Sequence, residues 1–221
     1  MRQIPDVEPH EAIPDLLHRL RNPLVALKSG VTLVMHVAQP TGEALELLNA
    51  MLGEVARIER TANDTQRFFR LVAGHPESVN VAEAARRACA LRQAEATEAG
   101  VELALEGDDG ERVRIHRDHL EFALSELLCN AIRVSSRGGR VRVAWRRHGN
   151  GLLAVDVEDS GEGVPSSYAA QVGRPFFSTF PERTGLGLAS VSRICRLADG
   201  HLSWSNRPRG GARFSLALPV G

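Results

Sequence analysis

Hydrophobic residues recur at helical spacing along the first third of the chain. From about Pro9 to Ala38 they fall three and four residues apart, at Leu16, Leu20, Leu24, Leu27, Val31 and Val34, which predicts an amphipathic helix. A turn-like segment, 39–42, follows. The same period then resumes at Leu45, Leu48, Leu52, Val55, Ala62 and Phe69. The pattern predicts a hairpin of two long helices.

The apolar stripe of each predicted helix is wider than one neighbouring helix covers. Two hairpins that associate as a four-helix bundle would bury both stripes. The alternative is a hairpin that packs on the rest of its own chain. We expect the homodimeric four-helix bundle.

The helical pattern ends at Gly74-His75-Pro76, which indicates a short linker. We therefore expect a hairpin domain over residues 1–75 and a second domain over 76–221. In the second domain, strands are predicted at Ser78–Val81, Val101–Leu105, Arg112–His116, Arg140–Arg146, Leu152–Val157, His201–Ser205 and Ala212–Leu218. Helices are predicted at Ala82–Ala99, Asp118–Ser135 with Asp118 as N-cap, and Leu186–Ala198. This irregular mixture favours an α/β sandwich with helices on one face of a mixed sheet over a doubly wound parallel fold.

Charge and composition narrow the classes of function. The chain has 27 basic and 27 acidic residues, without the basic excess typical of nucleic-acid binding. No run of about 18 apolar residues is present, and the first ten residues lack the layout of a secretory signal. We expect a cytoplasmic protein with no transmembrane segment and no nucleic-acid partner. Cys89, Cys129 and Cys195 lie in apolar, helix-like contexts and are predicted to be buried free thiols.

The first predicted helix carries a histidine on its polar face. At about 100° per residue, His18 and Asn22 fall nearly opposite the stripe through Leu20 and Leu24. We therefore expect an exposed imidazole, with the Asn22 amide one turn away. A neutral imidazole is a competent nucleophile near pH 7.

The helix predicted from Asp118 offers a second polar face. Glu126, Asn130 and Arg133 share one side of it. Oxygen donors suit Mg²⁺ and a guanidinium suits phosphate, although an ordinary solvated face has the same pattern.

Two glycine motifs follow. Asp159, Gly161 and Gly163 come directly after a predicted strand, where a carboxylate can accept a hydrogen bond from an exocyclic amine and glycines allow close backbone approach; turns of this composition are also common. The run Gly185-Leu186-Gly187-Leu188 leads into a helix, a layout that favours phosphate, and the Thr184 hydroxyl could contribute.

The segment between the glycine motifs, Arg174-Pro175-Phe176-Phe177-Ser178-Thr179, is irregular and flanked by glycines. Such a segment is typical of a mobile lid over a nucleotide. Its aromatic pair could equally be a core anchor.

Taken in this order, from about Ala12 to Val220, the segments resemble the sensor histidine kinases of two-component signalling. The resemblance implies that His18 with Asn22-Pro23-Leu24 is the phospho-acceptor box, that Asn130 binds Mg²⁺ and that Asp159 recognises adenine. It implies this set for ATP: Asn130, Arg133, Asp159, Gly161, Gly163, Phe177, Ser178, Thr179, Thr184, Gly185, Leu186, Gly187 and Leu188. Glu126 and Asn130 are the expected Mg²⁺ ligands.

The resemblance further implies a dimerisation and phosphotransfer hairpin followed by a Bergerat-type ATP-binding domain. Such a protein phosphorylates its own histidine from MgATP and transfers the group to an aspartate in the receiver domain of a response regulator. Asn22 matches the position that supports dephosphorylation of the partner by orienting a water. The run from Pro175 to Leu188 is most similar to the soluble nitrogen-regulator type of kinase.

Two positions depart from the family pattern. Arg19 replaces the carboxylate that usually follows the histidine; a guanidinium disfavours the imidazolium and attracts phosphate, but it cannot act as a base. Phe180 stands where the similar subgroup commonly has a lysine, so that a phosphate contact is lost or moved to Arg183. Both changes bear on phosphotransfer more than on ATP binding.

Two other functions fit parts of the same pattern. One is an ATPase of the Bergerat superfamily in which Glu126, four residues before Asn130, is the general base for water. The other is a dimeric scaffold that binds nucleotide without catalysis, with Arg19 as a sign of lost activity. The acceptor-box hairpin favours the kinase.

Overall fold

A computed structural model of the chain describes residues 9–71, 75–148 and 150–221, and the side chains of residues 9–16, 18 and 19 lie outside that description. The elements in chain order are α1 (Pro9–Ala38), α2 (Glu43–Arg70), β1 (Glu77–Asn80), α3 (Val81–Ala99), β2 (Glu102–Glu106), β3 (Arg112–Ile115), α4 (Arg117–Val134), β4 (Arg140–His148), β5 (Leu152–Glu158), a 3₁₀ turn (Ser166–Tyr168), α5 (Gly187–Leu197), β6 (His201–Asn206) and β7 (Ala212–Pro219).

The first two helices form the predicted hairpin. Leu24 and Val31 of α1 and Val55 of α2 are buried, in agreement with the spacing of the apolar positions. Polar contacts flank this seam, since Lys28 Nζ lies 3.1 Å from Glu59 Oε2. The seam buries only part of the apolar stripe of each helix.

A five-stranded mixed sheet forms the centre of the rest of the chain. Its strand order is β2-β4-β5-β7-β6; β2 and β4 are parallel, and the other neighbours are antiparallel. A separate antiparallel pair joins β1 and β3. This architecture confirms the expected sandwich.

The core lies between one face of this sheet and the helices. Strand β4 alternates between exposed or half-buried and buried positions, as a sheet with one covered face requires. Fully buried side chains from the sheet and from α4 and α5 meet there: Val141, Val143, Leu153, Val155, Leu216, Leu218, Leu120, Leu124, Leu128 and Ile194. Truncation of such a residue to alanine typically costs about 2–5 kcal/mol.

Helix α4 begins one residue earlier than predicted, and the prediction of Asp118 as its N-cap is wrong. His116 occupies the cap position with an extended backbone, and its carbonyl accepts hydrogen bonds from the amides of His119 and Leu120. Asp118 lies in the first turn instead, where a carboxylate still stabilises the helix dipole.

Contacts within the chain divide it into two compact units. The first contains the hairpin together with Ser178–Leu186, and the second contains the sheet, α3, α4 and α5. The three cysteines are buried, as predicted, and burial raises the pKa of Cys89 to about 11 and that of Cys195 to about 12. None of the described helices is long and apolar enough to cross a bilayer.

Candidate functional site

Helix α4 brings together motifs that are far apart in the sequence. A Cβ on Gly161 would lie 2.4 Å from the carbonyl oxygen of Val134, and a Cβ on Gly187 would lie 2.6 Å from Glu126 Oε2. The two contact points are eight residues, or about 12 Å, apart on α4, and Asn130 is halfway between them. One glycine motif therefore approaches each end of a two-turn stretch of α4 centred on Asn130.

Asp159 follows β5 directly and is nearly inaccessible, with 3% of its surface exposed. Its Oδ1 accepts hydrogen bonds from the amides of Gly161 at 2.9 Å and Ala212 at 3.0 Å. Within the described residues, Oδ2 makes no hydrogen bond. The carboxylate is thus fixed in orientation and keeps one oxygen for a ligand that donates a hydrogen bond.

The ionisation of Asp159 reflects competing effects. Burial raises the pKa of this carboxyl above its usual range, and the hydrogen bonds from Gly161 and Ala212 and the charge of Arg207 offset the rise only in part. A bound hydrogen-bond donor at Oδ2 would favour the charged form further.

The turn between β6 and β7 closes over Asp159. Arg207 Nη1 donates to the Asp159 carbonyl at 2.6 Å. Gly211 has φ +79°, and a Cβ there would lie 2.1 Å from the same carbonyl oxygen, so only glycine fits. Sequence reasoning missed this turn, although the doublet Gly210-Gly211 before a strand is a signal for it.

Behind Asp159 lies a buried ion-pair cluster that the sequence did not suggest. Glu158 is 1% exposed. It accepts hydrogen bonds from Arg142 Nη2 at 2.9 Å and Arg213 Nε at 2.7 Å, and Arg207 Nε lies 3.4 Å away. Burial opposes ionisation of Glu158, but Arg142 and Arg213 together outweigh it and hold the pKa of this carboxyl below its usual value.

The polar face predicted on α4 is present. Asn130 and Glu126 are half-buried and Arg133 is exposed, whereas Leu124, Leu127 and Leu128 are buried. Glu126 Oε1 lies 3.8 Å from Arg92 Nη2, so its carboxylate has a cationic neighbour on α3. The oxygen donors of Glu126 and Asn130 have the chemistry that Mg²⁺ prefers.

The two phenylalanines of the predicted lid have different surroundings. Phe177 is half-buried, and its ring centroid lies 5.7 Å from that of Tyr168. Phe176 is 61% exposed and has φ +65°, which is strained for a bulky residue. The core-anchor alternative therefore applies to Phe177 alone. Ser178 Oγ bonds to the backbone of Phe180, and Thr179 is exposed.

Thr184 contacts the hairpin. Its Oγ1 donates to Asp64 Oδ2 of α2 at 2.8 Å and accepts from the Leu186 amide at 3.4 Å. Leu186 is buried, and α5 begins at Gly187 with Leu188 in its first turn. The glycine motif thus lies at a helix N-terminus, as predicted, where amides are available to an anion.

The acceptor-box residues lie in α1. Asn22 is exposed, as expected. The predictions for the side chains of His18 and Arg19 fall outside the described residues.

The chain is similar in sequence to known proteins. Residues 115–221 match the family model of histidine kinase-, DNA gyrase B- and HSP90-like ATPases. Sensor histidine kinase ZraS of Klebsiella oxytoca is 30% identical over 204 residues, which cover 92% of this chain and 44% of that protein. The alginate biosynthesis sensor protein KinB of Pseudomonas aeruginosa is 30% identical over 213 residues, covering 92% of this chain and 36% of KinB. The chain spans less than half the length of these relatives.

Solved structures share the fold. Full-length ShkA in complex with AMPPNP aligns with a TM-score of 0.78 at 24% identity, over 97% of this chain and 46% of ShkA. Histidine kinase ThkA in complex with response regulator protein TrrA aligns with a TM-score of 0.68 at 21% identity, over 96% of this chain and 61% of that chain. At this level of identity the likeness is one of fold.

Proposed function

We propose that this chain is a sensor histidine kinase of two-component systems, since 92% of its length is similar to sensor histidine kinase ZraS and its second half matches the family model. In this proposal it phosphorylates its own His18 from MgATP and passes the phosphoryl group to an aspartate of a response regulator. The observation that carries the proposal is the arrangement around α4, where two glycine motifs and Asn130 come together beside the buried Asp159. The nitrogen-regulator subgroup remains a prediction.

In this proposal the adenine amino group donates to Asp159 Oδ2, since Oδ1 is already occupied by two backbone amides. Gly161 and Gly163 border the base. The triphosphate lies toward Gly185–Leu188 at the start of α5, where the amides of a helix N-terminus favour phosphate. Thr184 and Arg133 belong to the same proposed set. The AMPPNP complex of ShkA supports a nucleotide in this fold.

The lid segment would cover the nucleotide. Phe177 is held by Tyr168 and could anchor the segment, and Ser178 and Thr179 supply hydroxyls for the phosphates. Closure of such a segment excludes water from the transferring group.

Asn130 and Glu126 would hold Mg²⁺ through their oxygen atoms, and both are half-buried on one face of α4. The ion, when bound, neutralises charge on the phosphates.

At the acceptor, a lone-pair nitrogen of neutral His18 attacks the γ-phosphorus. A nitrogen–phosphorus bond forms as the bond from that phosphorus to the β–γ bridging oxygen breaks, and ADP leaves. The proton on the other ring nitrogen passes to solvent, since a guanidinium at Arg19 would disfavour the imidazolium but cannot act as a base. Asn22, one turn away and exposed, would position the phosphoryl group or, when the regulator is dephosphorylated, a water.

We further propose that residues 1–75 form the dimerisation and phosphotransfer hairpin and 76–221 the ATP-binding domain. Large apolar side chains on the hairpin stay exposed in the single chain, among them Leu20, Leu27 and Val34 at seven-residue intervals, and a second copy would cover them. The complex of ThkA with TrrA supports a receiver domain as partner. A reaction that consumes ATP implies a cytoplasmic location.

Calorimetric titration of the full chain with ATP tests the nucleotide site. We expect Asp159→Asn to weaken binding by at least about tenfold, because it removes a charge-assisted hydrogen bond. Asn130→Ala should weaken binding in the presence of Mg²⁺ and have little effect with EDTA. Equal affinities for wild type and Asp159→Asn would contradict the proposed placement of the base.

The ATPase alternative predicts a different outcome. Steady phosphate release that is abolished by Glu126→Gln but retained in His18→Ala would favour hydrolysis by water. The kinase proposal expects label on the protein and little steady release. Nucleotide binding without any label would favour the scaffold.

A further inference from the structure

We infer that Arg207, anchored on Glu158, is a positioning residue that holds Asp159 in the orientation required to recognise an exocyclic amino group of a purine. The inference rests on the proposed function, in which Asp159 binds adenine. It assigns base selectivity to residues outside the glycine motifs.

Arg207 joins two parts of the site. Its Nη1 donates to the Asp159 carbonyl at 2.6 Å, and its Nε lies 3.4 Å from Glu158 Oε2. The backbone of Arg207 is fixed as well, since its amide donates to the Gly211 carbonyl at 2.9 Å and its carbonyl accepts from the Gly210 amide at 3.1 Å. One guanidinium therefore ties the β6–β7 turn to the end of β5.

The Glu158 carboxylate is a fixed anchor for the Arg207 guanidinium. The carboxylate is 1% exposed, and Arg142 and Arg213 hold it from the neighbouring strands β4 and β7. A planar guanidinium in contact with a fixed carboxylate has little freedom. The position of Arg207 follows from that of Glu158.

The contacts of Asp159 with the β6–β7 turn and the start of β7 fix the position of Oδ2, the oxygen proposed to bind the ligand. The Asp159 amide donates to the Ala212 carbonyl at 3.0 Å, and the Ala212 amide donates to Oδ1 at 3.0 Å. With the Asp159 carbonyl held by Arg207, the amide, the carbonyl and Oδ1 each have a partner in the β6–β7 turn or at the start of β7. Because these three groups are fixed, the position of Oδ2 is fixed too. Loss of Arg207 would release the Asp159 carbonyl and allow the carboxylate to reorient.

Selectivity between ATP and inosine triphosphate measures this role directly, because inosine has a 6-oxo group where adenine has the amino group. Calorimetry on the full chain should show wild type binding ATP more tightly than inosine triphosphate. We expect Arg207→Ala to weaken ATP binding about tenfold and inosine triphosphate binding less than about twofold. Glu158→Gln should act in the same direction with a smaller effect.

Arg209→Ala is the matched control. Arg209 is an exposed arginine of the same turn, and its side chain makes no hydrogen bond or ion pair with any described residue, so both affinities should stay at wild-type values. Thermal unfolding of each variant shows whether the fold is retained, and the ratio of the two affinities reports positioning even if stability falls.

Two outcomes would overturn the inference in distinguishable ways. If Arg207→Ala retains the wild-type preference for ATP, or loses affinity for both nucleotides equally, Arg207 has no role in base selectivity. If wild type itself binds the two nucleotides equally, the adenine assignment of Asp159 fails, and the inference fails with it.

Discussion

Adjacent acidic residues at the end of β5 have opposite shifts in pKa. Glu158 meets Arg142 and Arg213 and is stabilised in its charged form, whereas burial dominates for Asp159. Their side chains have different partners, since Glu158 meets two guanidinium groups and Asp159 Oδ1 meets two backbone amides. The first serves the structure, and the second has a free oxygen for a ligand.

The lowered pKa of Glu158 predicts how stability depends on pH. Because the pKa in the folded state is below the ordinary value of 4.5, the stabilisation is present above that pH and is lost as pH falls through the folded-state pKa. Glu158→Gln should lower the free energy of unfolding by about 3 kcal/mol near pH 7. Urea titrations should show this difference shrinking below about pH 4.5; a difference that is constant with pH would contradict the assignment.

Gly211 in the β6–β7 turn allows the cost of a left-handed backbone to be distinguished from the cost of a steric clash, by comparison with a glycine elsewhere in the chain. Gly211 and Gly138 have similar left-handed backbones, with φ +79° and +81°, but a Cβ on Gly138 would have open space around it. Gly138→Ala should cost about 1 kcal/mol. Gly211→Ala should cost at least about 3 kcal/mol and impair ATP binding, because the Asp159 carbonyl must move. Equal losses of stability in denaturant unfolding would argue against this.

The roles expected of individual residues could be read from local motifs, but their supporting contacts could not. Asp159 follows a strand and precedes two glycines, which is a local signal. Arg142 of β4 and Arg207 of the β6–β7 turn reach the same carboxyl-terminal end of β5, and the pairing of β5 with β4 and β7 is decided by long-range contacts. Nothing in the spacing of arginines along the sequence indicates which of them meet Glu158.

At the scale of elements, the segment Ser178–Leu186 groups with the hairpin although its neighbours in sequence belong to the other unit. The hydrogen bond from Thr184 to Asp64 of α2 is one contact between the segment and the hairpin. Thr184 is in the set proposed for phosphate, so the same hydroxyl has two candidate partners. Nucleotide and Asp64 would compete for it.

The hydrogen bond between Thr184 and Asp64 predicts that the backbone amides of residues 178–186 are protected from hydrogen exchange. Asp64→Ala should speed amide hydrogen exchange of residues 178–186 by about fivefold, as expected for the loss of one hydrogen bond. Glu54→Ala is the control, because Glu54 lies on the same helix and accepts hydrogen bonds from Arg57 one turn away on that helix. Similar exchange in both variants would show that Asp64 does not hold the segment.

Most elements could be predicted from sequence periodicity, with bounds within about two residues. The hairpin and the mixed sheet agree with the pattern because burial imposes the period of each element. The predicted start of α4 was wrong because an acidic residue is favoured both at the N-cap and in the first turn of a helix. The pairing of β1 with β3 has no local signature.

At the scale of the whole molecule, the hairpin carries large apolar side chains that are exposed in the single chain. Leu27 of α1 and Leu47, Met51 and Ile58 of α2 are each at least 44% exposed. Apolar surface of this kind marks an interaction site. The proposed homodimer would bury it between two hairpins.

Substitution of this face tests the dimer. Leu27→Glu combined with Met51→Glu should convert a dimer to a monomer of 24.0 kDa, since a charge at a buried interface is costly. Light scattering after size exclusion measures the mass. Leu91→Glu is the control, because Leu91 is 74% exposed but lies on α3, outside the hairpin. An unchanged mass in the double variant would contradict the proposed interface.

Phosphorylation of His18 is the central claim, and incubation of the full chain with γ-labelled ATP and Mg²⁺ tests it most directly. We predict acid-labile label on wild type, none on His18→Ala, and wild-type labelling of His36→Ala, which alters another histidine of the same helix. Label that persists on His18→Ala, or wild type that never acquires label, would contradict the account.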